Sequence, residues 1–157
     1  MNRVLAVDQG TTATKTYTLD TDGQFTFRSS VEHRQIYPRP GWVEHDPETL
    51  FSNVKDSILA TGDIDAIGID NQGETVVAWD SESGFPIYNA IVWQDQRTTD
   101  FIEELKAGDA EEITLKLAGL PLDPYFSASK LRWILKNVSE AQTLLKRNRL
   151  RFGSLAV

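Results

Sequence analysis

Apolar positions in this chain come in short runs separated by polar turns, and the first runs are too short for helices. Val4-Leu5-Ala6-Val7 ends abruptly at Asp8 and predicts a strand buried on both faces. Gln9-Gly10-Thr11-Thr12 follows as a turn, and the Thr-rich segment 13–19, with Tyr17, predicts a second strand. Asp20-Thr21-Asp22-Gly23 is a further turn signal, leading into a third strand over 24–31 with Phe25 and Phe27 on one face. The opening is thus expected to be a three-stranded antiparallel meander. Pro38 and Pro40 make 36–41 an extended loop.

A helix is then expected to begin sharply. Asp46 suits the N-cap, Pro47 the first helical position, and Glu48 the positive end of the dipole. Leu50, Val54 and Ile58 repeat along its buried face, and Gly62 stops it. Segment 64–69 predicts a buried strand that ends in Asp70-Asn71-Gln72-Gly73-Glu74. Shorter strands are expected over 75–79 and 90–93, then helices over 98–106, 110–117, 129–137 and 140–146. Ser139 and Gln142 form a capping-box signature for the last helix, and 150–157 reads as a new strand. Strands, a helix, strands and then helices predict an α/β domain.

Composition narrows the chemistry. The chain has 157 residues, 40% hydrophobic and 25% charged, which are values of a folded domain. Such a chain can bury roughly two-thirds of its unfolded surface. A net charge of −7 argues against broad nucleic-acid binding. Lys146, Arg147, Arg149 and Arg151 crowd together, but they read as a solvated helix end complementing its dipole. The absence of cysteine excludes disulfides and thiolate sites, and two histidines are too few for a multi-His zinc site. No run reaches the length of a membrane span, and the N-terminal apolar run is too short for a signal peptide. A cytoplasmic location is the default expectation.

The segment from Asp8 to Lys15 carries the clearest chemical signal. A carboxylate ending a buried strand can hold magnesium, directly or through water. Glycine lets the backbone approach a phosphate, and threonine hydroxyls with exposed N–H groups donate to it. A Walker loop or dinucleotide fingerprint would open a helix, whereas a strand is expected here. A plain hairpin, with Gly10 at positive φ and Asp8 as its cap, accounts for the same residues equally well. His45-Asp46 lacks an accompanying nucleophile, and Asp20–Gly23 lacks the later ligands of a calcium loop.

Several segments together resemble the FGGY-type sugar and polyol kinases, glycerol kinases most closely. They are Asp8–Thr12, Gly41-Trp42-Val43-Glu44-His45-Asp46-Pro47, Pro86 to Gln94, and Gly119-Leu120 with Asp123-Pro124-Tyr125-Phe126-Ser127. The resemblance implies an actin-like, ribonuclease-H-like ATPase domain, with a mixed sheet and helices on both faces. It also implies ATP and Mg2+ as cofactors, and a polyol or sugar as substrate. Carried over position by position, Gly10, Thr11, Thr12, Ala13 and Lys15 would lie at the nucleotide phosphates, and Asp8 would organise magnesium. Lys15 stands where glycerol kinases typically have Arg, so it offers a point charge without a planar fork. Gly73, Glu74, Trp93 and Tyr125 would form the substrate site.

Taken alone, a loop Glu is usually solvated, and Trp93 and Tyr125 would read as core or hinge packing. Gly73 replaces an arginine of glycerol kinases, which leaves room beside Glu74 for a larger polyol or a ketose. Asp95-Gln96-Arg97 resembles the pattern of xylulose kinases and points the same way. The catalytic aspartate and the adenosine site of the family are expected beyond Val157. Residues 1–157 are therefore expected to be the N-terminal part of a two-domain kinase, inactive alone, and a homo-oligomeric complete protein is compatible with this. A non-catalytic ligand-binding protein and an actin- or chaperone-like ATPase module are the alternatives.

Overall fold

The computed structural model describes residues 3–155. Its first sheet has the order β3 (Phe25–Glu32), β2 (Ala13–Asp20), β1 (Arg3–Gln9) and β5 (Ala66–Asn71), and its second the order β4 (Glu44–His45), β7 (Ala90–Ile91), β6 (Val76–Asp80) and β8 (Leu150–Ser154). Strands β1 (Arg3–Gln9), β2 (Ala13–Asp20) and β3 (Phe25–Glu32) form the expected antiparallel meander. Gly23 supplies positive φ at the second turn, where its N–H donates to Asp20. Helix α1 (Pro47–Thr61) then carries the chain to β5 (Ala66–Asn71), which lies parallel to β1. Asp46 caps α1, accepting from the Glu48 N–H at 3.2 Å and the Thr49 hydroxyl at 2.6 Å, and Gly62 ends the helix at φ 81°.

Helix α1 packs on β1 and β2. One face of these strands buries Leu5, Val7 and Gln9 beside Thr14, Thr16 and Thr18. Strand β1 is therefore buried on alternate residues and not on both faces: Val4 and Asp8 are exposed, as are Phe25 and Phe27 on β3. Strand β5 departs further from expectation. It forms at the predicted place, but at the sheet edge, and Ile67 and Ile69 are exposed. An apolar run records that a strand can be buried, not that the described residues cover it.

The second sheet combines β4 (Glu44–His45), β6 (Val76–Asp80), β7 (Ala90–Ile91) and β8 (Leu150–Ser154). Strand β7 is shorter than predicted, because the chain turns after Ile91, with the Asp95 N–H donating to the Val92 carbonyl. Helices α2 (Thr99–Ala107), α3 (Ala110–Ala118), α4 (Ser127–Asn137) and α5 (Ser139–Lys146) match the four predicted helices within two residues at each end. Val76, Ala78, Ile91, Ile134, Ala141, Leu144 and Leu150 form the core between this sheet and helices α4 and α5. The predicted capping box at Ser139 does not form. Val138 is both the C-cap of α4 and the N-cap of α5, and Gln142 instead donates to the Leu135 carbonyl at 2.6 Å. Ala156 and Val157, the end of the predicted last strand, lie outside the described residues.

Two charged clusters fix the corners. Arg149 pairs with Asp80 and with Glu82, so part of the basic run is engaged and not simply solvated. The Arg149 guanidinium holds the Asp80 carboxyl well below the usual carboxylate range. The second cluster is buried. The Arg97 guanidinium reaches Glu44 at 2.7 Å and both oxygens of Asp95 at 2.8 Å, and it lies 4.0 Å from the Trp42 ring centre and 4.6 Å from that of Trp133. Burial works against the cation, but Asp95 and Glu44 outweigh it and hold the Arg97 pKa above its ordinary value. Asp95 also accepts the Val43 N–H at 2.7 Å. Its carboxylate is thus committed to the interior and to Arg97.

Candidate active site

The polar ends of β1 and β5 lie side by side because the two strands are parallel, with Asp8 beside Asp70 and Gln9 beside Asn71. The loop after β7 and the start of α4 reach the same edge. Between them lies a cleft of about 240 Å³, lined by Asp8, Gly10, Thr11, Gly73, Glu74, Trp93 and Tyr125 together with Gln9, Asn71 and Gln72. Seven of the ten residues singled out from sequence thus meet in one depression. Thr12, Ala13 and Lys15 are not among its lining residues. Ala13 is buried, its carbonyl accepting the Gly10 N–H at 3.0 Å, and the Thr12 carbonyl accepts the His33 N–H at 3.1 Å. Lys15 is exposed on β2 directly opposite Asp8.

The hairpin is not the simple glycine turn that competed with the phosphate reading. Gly10 is not among the residues with positive φ. A Cβ there would stand 3.4 Å from the Ala13 carbonyl oxygen and 3.8 Å from an Asp8 carboxylate oxygen. These are ordinary contact distances, so within this chain neither backbone handedness nor crowding requires glycine at this position. Asp8 is exposed, and among the described residues no hydrogen bond ties its carboxylate down. That leaves hard oxygen donors facing the cleft, beside Asp70.

Glu74 is anchored rather than loose. Its Oε2 accepts the Ser127 N–H at 2.7 Å and the Ser127 hydroxyl at 2.5 Å, at the first residue of α4. A carboxylate there is stabilised by the helix dipole, and its other oxygen retains acceptor capacity. Trp93 and Tyr125 meet edge to face, with ring centres 5.9 Å apart. Gly73 is exposed, and a Cβ at this position would meet nothing within 4 Å.

Two elements of the site went unpredicted. Lys130 is fully buried, and its Nζ donates to the Glu74 carbonyl at 3.2 Å and to the Tyr125 carbonyl. Burial pushes its pKa down to about 8, with the Glu74 carboxylate partly opposing the shift. This lysine ties together two walls that lie far apart in sequence. Phe126, Lys130 and Ile134 recur every four residues, so a lysine on the buried stripe of α4 was the available signal. The second element lies under the hairpin, where the buried rings of His33 and His45 meet at 5.0 Å. Burial lowers both imidazole pKa values, while backbone carbonyls near each ring partly oppose it.

Comparison with known proteins agrees with this arrangement. Residues 3–149 match the family described as the FGGY family of carbohydrate kinases, N-terminal domain. Glycerol kinases of Paraburkholderia xenovorans (strain LB400) and Burkholderia pseudomallei (strain K96243) are 48% and 46% identical over 97% of this chain. The chain spans about a third of their length, 32% in each case. A crystal structure of Plasmodium falciparum glycerol kinase with ADP superposes with a TM-score of 0.90 at 32% identity, covering 99% of this chain and 33% of that one. A ligand-bound xylulose kinase from Lactobacillus acidophilus, at 24% identity and a TM-score of 0.85 over 99% of this chain and 32% of that one, shares the fold. Among the described residues no helix is long and apolar enough to cross a membrane. With residues 3–149 matched, the chain belongs to the FGGY family of carbohydrate kinases.

Proposed function

We propose that this chain forms the phosphate- and acceptor-binding part of an ATP-dependent kinase that phosphorylates a hydroxyl group of a polyol or sugar. The observation that carries this reading is the single cleft that joins a carboxylate-and-threonine hairpin to a Glu–Trp–Tyr wall. Phosphoryl transfer needs little covalent help from protein; it needs positioning and charge neutralisation. Thr11 donates to nucleotide phosphate at the hairpin, Thr12 lies exposed beside it, and Lys15 adds a cation on the same sheet face as Asp8. Gly10 and Ala13 shape the turn.

Asp8 fits magnesium. It supplies hard oxygen donors on an exposed strand end, and one or two carboxylates with water and phosphate oxygens complete the usual coordination. When bound, magnesium would supply charge neutralisation at the phosphates. On the acceptor side, Glu74 takes hydrogen bonds from polyol hydroxyls, with Trp93 and Tyr125 against the carbon–hydrogen faces. The open space at Gly73 suits an acceptor larger than glycerol, a longer polyol or a ketose. The base that accepts the hydroxyl proton and the adenosine site come from a second domain of the complete protein, so residues 1–157 alone are inactive. ATP-dependent phosphorylation of a polyol and ketose panel by the complete protein tests the proposal. Transfer to a longer polyol or ketose in preference to glycerol is expected. Transfer to glycerol alone removes the Gly73 argument, and ATP hydrolysis without transfer removes the kinase reading.

A further inference from the structure

Four hydrogen bonds link the hairpin to the opposite wall of the cleft. The Gln72 side-chain amide donates to the Gly10 carbonyl at 2.9 Å, and the Thr75 hydroxyl donates to the Gln72 side-chain oxygen at 3.0 Å. The Trp93 backbone N–H donates to the Thr75 hydroxyl at 3.2 Å, and its indole N–H donates to the Thr11 hydroxyl at 3.1 Å. The bond between Gly10 and Thr11 along the chain closes the circuit. Gln72 and Thr75 are buried, so water does not compete freely for these groups.

The direction of each bond follows from chemistry. A backbone N–H can only donate, so Thr75 accepts from Trp93 and gives its own proton to Gln72. That fixes the Gln72 amide with its NH2 toward Gly10. The indole N–H also only donates, so Thr11 Oγ1 accepts from it and keeps its own proton for another partner. A hydroxyl polarised in this way is the better donor. Thr11 lines the cleft, and an acceptor-rich group such as phosphate is the partner that such a hydroxyl suits.

We infer that Trp93 is a positioning residue for the phosphate end of the cleft as well as a wall for its polyol end. The indole N–H aims the Thr11 hydroxyl at phosphate, so a polyol packed on the ring stabilises the same indole position. This inference rests on the proposed assignment of the two ends and adds a coupling between them.

Trp93→Phe keeps an aromatic wall and deletes the N–H, Thr11→Val deletes the hydroxyl at similar shape, and Thr11→Ser restores it. Each is compared in the complete protein by MgADP calorimetry and by steady-state kinetics with ATP and the preferred polyol, after circular dichroism confirms folding. Trp93→Phe is expected to weaken MgADP binding and raise the ATP KM about tenfold, with the polyol KM changed less than about threefold. Thr11→Val is expected to match it, the double variant to be no worse than either single one, and Thr11→Ser to recover most of the loss. Losses that multiply, or a Trp93→Phe effect confined to the polyol KM, overturn the coupling while leaving the kinase reading intact. A wild-type protein that binds MgADP but transfers nothing overturns the kinase reading, and the calorimetric comparison still decides the role of Trp93. Wild-type protein that binds no MgADP overturns both.

Discussion

Replacing Arg97 by Met isolates the energetics of the buried charge cluster under the acceptor side. The side chains of Arg97 and Asp95 are wholly buried, and that of Glu44 is 3% exposed. An exposed ion pair would contribute at most about 1 kcal/mol. Here Met fills much of the same volume but leaves two carboxylates without a cation in a nearly dry site. Breaking a buried pair in this way costs about 3–5 kcal/mol. At about 2–4 °C for each kcal/mol in a chain of this size, the melting temperature should fall by roughly 10 °C. Thermal unfolding by circular dichroism between pH 5 and 8 measures the loss. Adding Glu44→Gln and Asp95→Asn to Arg97→Met should restore much of the loss. A melting temperature within about 2 °C of wild type at every pH would refute the reasoning, since a dry carboxylate pair cannot be that inexpensive.

Other predictions concern the cleft and the buried bases. The unfolded chain keeps the Lys130 proton up to its ordinary value of 10.5 and the folded chain only to about 8, so folding becomes more favourable as pH rises between them. The rise is up to about 3 kcal/mol, and urea unfolding of wild type against Lys130→Met should show the variant lacking it; parallel curves would contradict it. His33 and His45 are both lowered, so the unfolded chain takes up protons first. Wild-type stability should fall as pH drops below about 6.5, less steeply in the double His→Gln variant, by the same urea measurement. Gly73→Arg fills open space, and should shift the preference of the complete protein toward smaller acceptors without a change in melting temperature beyond about 0.5 kcal/mol equivalent; competition kinetics between glycerol and a longer polyol measure it.

Elements were legible where local chemistry decides them. The meander followed from β-branched runs and the Asp20–Gly23 turn, and α1 followed from Asp46, Pro47 and Gly62. What a segment packs against was less legible. Ile67 and Ile69 look like core in sequence, yet they lie on an edge strand and are exposed among the described residues. Ser139 and Gln142 have the spacing of a capping box, but the one-residue joint at Val138 turns Gln142 back onto α4. At the cleft, Asp8 and Thr11 stood out from the residues themselves, whereas Glu74, Trp93 and Tyr125 stood out only through the family resemblance, since taken alone their types suit solvent or packing equally well. Gln72, Thr75, Ser127 and Lys130 did not, because their roles consist of contacts with segments distant in sequence. Asp95 was legible only as part of a motif, and its structural role, accepting from Val43 and Arg97, depends on segments that the motif does not name.

If one cleft joins a phosphate hairpin to a polyol wall anchored on Glu74, transfer of labelled phosphate from ATP to a polyol must differ between the complete wild-type protein and Glu74→Ala. Wild type is expected to transfer phosphate, and the variant to lose at least about a hundredfold in kcat/KM for the polyol, with MgADP affinity retained. Equal transfer by both proteins would contradict it, because the carboxylate held at the start of α4 would then have no part in binding the acceptor.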